Sequence, residues 1–113
     1  MATQIQNEAT ETVEERETIE FIETEVEERL GRLWRVICHD DPETTMDFVV
    51  DVFTGVFRLP AGRAFELMMR VHNTGSAVLG LWPMSVAQKK VDKTHSMART
   101  RGFPLTLTLE EDD

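Results

Sequence analysis

The chain has 113 residues, a formal net charge of −9 and a single cysteine. That length supports one domain around a modest core. The charge argues against nucleic-acid phosphates and anionic lipid surfaces and favours basic or ammonium-bearing partners. One cysteine leaves no intrachain disulfide, as expected in a reducing compartment. The opening residues show neither a signal peptide nor an arginine-rich transit peptide, and no apolar run is long enough to span a bilayer. A cytoplasmic monomer without cofactors is the expectation.

Residues 1–31 are mostly Glu and Thr and read as an acidic arm, too poor in apolar side chains to offset the entropy of ordering. Within it Ile19, Ile22, Val26 and Leu30 recur at helical spacing, and Glu25 precedes Arg29 by four, so part of the arm is a candidate helix. Gly31 marks the boundary to a folded domain over residues 32–110.

Leu33 to Cys38 predicts a strand, rich in β-branched and aromatic residues and stopped by the Asp40-Asp41-Pro42 turn. Thr44 is the expected N-cap of the next helix, with Asp47 as the acidic arm of a capping box. Along that helix Met46, Val49, Val50, Phe53 and Phe57 share a face, which Phe48, Val52 and Val56 widen. Leu59-Pro60 opens a second helix with Ala64, Leu67, Met68 and Val71 inward, closed by Asn73-Thr74-Gly75. Ala77 to Trp82 is an unbroken apolar run, expected as a strand covered on both sides. Pro83 opens a third helix with Met84, Ala87, Val91, His95 and Ala98 inward and Lys89, Lys90, Asp92 and Lys93 in water, ending at Gly102. Leu105 to Leu109 alternates as a last strand, and the acidic residues 110–113 are expected to fray. The predicted fold is α+β in two layers: a three-stranded antiparallel sheet, three helices on one face, and the order β-α-α-β-α-β.

The chemistry-bearing residues gather in two stretches, Cys38 to Met46 and Met68 to Asn73. If they meet, they form a small site with an apolar floor and an anionic mouth, suited to an apolar side chain beside a positive charge. Cys38, His39, Asp40, Asp41 and His72 are ligand types, but their spacing matches no zinc pattern. A lone Cys38 at the end of an apolar strand is a core residue sooner than a nucleophile. The residues by themselves leave three functions open: a binding domain, a metal-dependent hydrolase using Asp40, Asp41 and His72, and an interaction module with a non-functional pocket.

Several separated motifs agree in order and spacing with one family. Val36-Ile37 and His39-Asp40-Asp41 are followed by Thr44 and Met46-Asp47-Phe48-Val49-Val50. Then come Leu67-Met68, Val71-His72, Gly75 and Ala77, and finally Pro104-Leu105. This pattern, over about residues 32 to 110, resembles ClpS, the adaptor family of the Clp protease. The resemblance implies a non-enzymatic adaptor for N-degrons, proteins whose free first residue is Phe, Tyr, Trp or Leu, delivered to a ClpA- or ClpC-type AAA+ unfoldase for degradation. It implies that Asp40, Asp41 and His72 hold the substrate α-ammonium. Thr44, Met46, Val49, Met68, Val71 and Leu105 would line the side-chain pocket, with Met68 as the gate against β-branched residues. Lys90 would contact the unfoldase, and the N-terminal arm would engage it during delivery. Two departures stand out. Asp40 replaces the family's usual Asn and Pro42 its third acidic residue, as in actinobacterial-type members; and no acidic residue stands near Ser85.

Overall fold

The computed structural model describes residues 31–112. The expected arm, Gly31 excepted, and Asp113 lie outside the described residues. The elements are β1 (Leu33–His39), α1 (Met46–Gly55), α2 (Ala61–Thr74), β2 (Ser76–Pro83), α3 (Met84–Thr100) and β3 (Thr106–Glu111). The fold is α+β in the expected order. β1 is central, antiparallel to β2 on one side and β3 on the other.

One face of the sheet carries Val36, Cys38, Ala77, Leu79 and Leu107, all buried with the inner faces of the helices. Phe53 and Leu67 are fully buried at the centre, and each such side chain contributes about 1.5–3 kcal/mol. The opposite face is open. Val78 and Leu81 are 42% and 43% exposed, so β2 is covered on one side only, contrary to the two-sided burial its apolar run implies. An antiparallel sheet needs only one packed face, and an apolar run does not tell one face from two. A bulge sits where Val36 pairs with Gly80 but Ile37 with Val78, leaving Leu79 unpaired. Ala77 and Leu79 alternate inward, and the extra residue shifts the phase so that Leu81 faces out while Trp82 packs back against the core. A Cβ on Gly80 would lie 2.8 Å from the Trp82 ring, so glycine there makes room for the indole.

Local chemistry sets the helix ends. Thr45, not Thr44, caps α1, its side-chain oxygen accepting the Phe48 N–H at 3.2 Å. The capping box expected from Thr44 and Asp47 is absent, and Asp47 instead places a negative charge in the first turn, where the helix dipole favours it. Gly75 ends α2 at φ 100°, a left-handed position suited to glycine, and its N–H bonds to the Val71 carbonyl. In α3 the buried stripe is Ala87, Val91, Thr94 and Ala98. Met84, expected inside, is 37% exposed, and His95 sits half-buried at the edge of the stripe. The acidic C-terminal end does not fray as far as Asp112: its N–H reaches the Leu33 carbonyl and its carboxylate pairs with Arg35.

Candidate functional site

One backbone hydrogen bond links the two stretches that form the site. As β1 ends, the Asp40 N–H donates to the carbonyl of Gly75, the cap residue of α2, at 2.9 Å. This ties the β1–α1 turn to the end of the helix that carries His72. The turn itself is built by Asp41. Its Oδ1 accepts the N–H groups of Glu43 (2.8 Å) and Thr44 (2.7 Å), and its Oδ2 accepts the Thr44 hydroxyl at 2.7 Å. Thr44 is thereby spent on the turn, which explains why the cap moves to Thr45. Partial desolvation raises the Asp41 pKa. The bonds from the Thr44 side chain and from the Thr44 and Glu43 backbones, with the field of Arg99, outweigh it and hold the carboxyl below its ordinary value. Asp41 is a fixed anion at neutral pH.

Between α1 and α2 lies a hollow of about 410 Å³ lined by Asp40, Asp41, Pro42, Thr44, Met46, Val49, Met68, Val71 and His72. Eight of these nine were named from the sequence for one site; the ninth, Pro42, was read there as a turn residue and a lost acidic position. Leu105, expected among the lining, does not reach the hollow: it is 1% exposed and belongs to the core. Val49, Met68 and Val71 are buried and give the hollow an apolar floor, while Met46 is 41% exposed and Asp40 and His72 are exposed at its mouth. The arrangement offers anionic and hydrogen-bonding groups to a cation and a closed apolar surface to the group attached to it.

The other candidates fall elsewhere. Cys38 is fully buried, and its thiol is pushed up to about 12, first by burial and then by the charges of Asp41 and Asp40; it is a protonated core residue. His39 meets the Thr108 hydroxyl at 2.7 Å. Among the described residues no three His, Cys, Asp or Glu side chains converge as a metal's ligands would. Lys90, expected in water, is half-buried. Its Nζ donates to the Val56 carbonyl at 2.9 Å and lies 5.7 and 5.6 Å from the ring centres of Phe57 and Trp82. No helix among the described residues is long and apolar enough to cross a membrane.

Comparison with known proteins gives the family. The family model described as "ATP-dependent Clp protease adaptor protein ClpS" matches residues 29–108. The chain belongs to the ClpS family. It is 43% identical over 96 residues to the ClpS adapter of Nitratidesulfovibrio vulgaris (strain DSM 19637 / Miyazaki F), covering 85% of this chain and 94% of that one. The ClpS adapter of Nautilia profundicola is 37% identical over 90 residues, 80% of this chain and 93% of the relative. A solved ClpS2 from Agrobacterium tumefaciens, bound to L-phenylalaninamide, superposes with a TM-score of 0.69 at 31% identity, covering 72% of this chain and 98% of that one. That ligand has a free α-amino group beside an aromatic side chain.

Proposed function

We propose that this ClpS-family chain is a non-enzymatic, monomeric, cytoplasmic adaptor. It binds proteins that begin with a free Phe, Tyr, Trp or Leu and hands them to a ClpA- or ClpC-type unfoldase of the Clp protease. The observation that carries the reading is the hollow between α1 and α2, with its apolar floor and its Asp40–Asp41–His72 mouth. In this reading Asp40, Asp41 and His72 bind the α-ammonium, while Thr44, Met46, Val49, Met68 and Val71 enclose the first side chain. Met68 narrows the entrance against branching at Cβ, the face carrying Lys90 meets the unfoldase, and the N-terminal arm acts during delivery.

The energetics support it. Burying a Phe or Leu side chain contributes about 1.5–3 kcal/mol, and hydrogen bonds to a charged group contribute roughly 1.5–3 kcal/mol each. After the cost of association, affinity on the order of micromolar follows. Asp40 in place of a neutral Asn makes the mouth more negative and strengthens its preference for an unblocked chain start.

The test is a ¹⁵N NMR titration with L-phenylalaninamide. Shifts should cluster at residues 40–49 and 68–72. A saturable response confined to other residues would refute the assignment.

A further inference from the structure

Phe65 is 55% exposed, the most exposed large apolar side chain among the described residues. It stands on a helix whose other large apolar residues, Leu67, Met68, Met69 and Val71, are buried or packed against the core. The helix does not ask for a ring there, since Phe and Ser have similar helix propensity. A ring left in water is apolar surface that a ligand can still cover. Arg63 and Glu66, which flank it in sequence, pair with each other at 3.4 Å and so add no net charge beside it.

Its place on α2 ties the ring to the hollow. Residues 65, 68 and 72 are spaced by three and four and share one face of the helix. Met68 and His72 line the hollow, so Phe65 stands one turn beyond Met68 on the same side, toward the helix start. Across from it, α1 carries Met46, a lining residue 41% exposed, and Val50, partly buried against the core. The other end of the hollow is shut. The bond from the Asp40 N–H to the Gly75 carbonyl holds the Asp40–Asp41–Pro42 turn at the C-terminal end of α2. A chain whose ammonium sits at Asp40, Asp41 and His72 therefore leaves toward Phe65.

The spacing selects one substrate position. In an extended chain the side chains of residues one and three face the same way, about 7 Å apart, and residue two faces the opposite way. At about 1.5 Å per residue, Phe65 lies about 7.5 Å along α2 from the middle of the stretch Met68 to His72. With residue one in the hollow, residue three comes over the ring and residue two points to water. We infer that Phe65 is a specificity-determining residue, a shelf for an apolar side chain at the third position of the substrate. The inference deepens the adaptor reading and rests on it for the substrate's free start.

The experiment is fluorescence anisotropy of the full chain with two decapeptides that begin Phe-Ala and differ only at residue three, Leu in one and Ser in the other. The Leu peptide should bind about tenfold tighter. Moving that leucine to residue two should give back the weaker affinity. Phe65→Ser should bring the ratio close to one with an unchanged thermal midpoint, and Phe65→Leu should keep most of it. Equal affinity of the native chain for both peptides, a ratio that survives in Phe65→Ser, or a leucine that acts at residue two would each overturn the proposal while leaving the adaptor reading in place. Binding of neither peptide would overturn both, so the two failures are distinct.

Discussion

Asp41 carries two duties that pull on the same atoms. It accepts three hydrogen bonds that shape the β1–α1 turn, and it supplies negative charge to the hollow. Asp41→Ala should therefore abolish peptide binding and also lower stability in urea denaturation, by about 1–2 kcal/mol. An unchanged midpoint would show that the turn does not depend on those bonds. Asp40, exposed and with no side-chain hydrogen bond among the described residues, is the freer of the two carboxylates. Met68 tests shape instead of charge. Met68→Ala should admit Ile- and Val-initiated peptides in fluorescence anisotropy, and continued rejection of both would remove its role as gate. The sequence named Asp40, Asp41 and His72 together by motif order, and the structure brings all three to the lining of one hollow. The sequence did not reveal that Thr44 belongs to Asp41 rather than to the helix, because adjacent threonines are equivalent cap candidates until the turn is built. Leu105 shows the same limit: alternation puts its side chain inward, and only packing separates core from pocket wall.

Among the elements, the docking of β3 on α3 depends on His95. Its Nε2 accepts the Leu107 N–H at 2.9 Å, which places the ring's proton on Nδ1. Arg99 adds bonds to the carbonyls of Phe103 and Leu105 at 2.8 and 2.9 Å. Desolvation and the charge of Arg99 lower the His95 pKa, against the opposing pull of Asp92. The folded state therefore favours the neutral ring. The resulting stability is fully present above the unfolded pKa of about 6.5 and is lost as pH falls below it, because protonation removes the acceptor from Leu107. The melting temperature should drop from pH 7 to pH 5, and the drop should be smaller in His95→Gln. Equal drops in both proteins would assign the pH dependence elsewhere. Sequence periodicity placed this residue near the inner face of α3 but also placed Met84 there. A helical stripe has edges, and side chains at its edges are decided by neighbours that the helix pattern does not name.

Across the whole molecule, the order and pairing of elements were legible because local signals agreed: proline at two helix starts, glycine at the end of α2, alternation in β3. What escaped was the open face of the sheet, since a two-layer fold and a three-layer fold place the same demand on a run such as Ala77 to Trp82. The charge distribution also emerges only in three dimensions. Arg58 and the lysines of α3 are far apart in sequence and meet at one end of α1, while Asp40 and Asp41 occupy the other. The proposed function rests on recognition of an unblocked chain start by the acidic mouth. Isothermal titration of a Phe-initiated decapeptide against its N-acetylated twin tests it most directly. The free peptide should bind at micromolar or tighter affinity, and acetylation, which removes the charge and two donors, should weaken binding at least about a hundredfold. Equal affinity for the two peptides would contradict it.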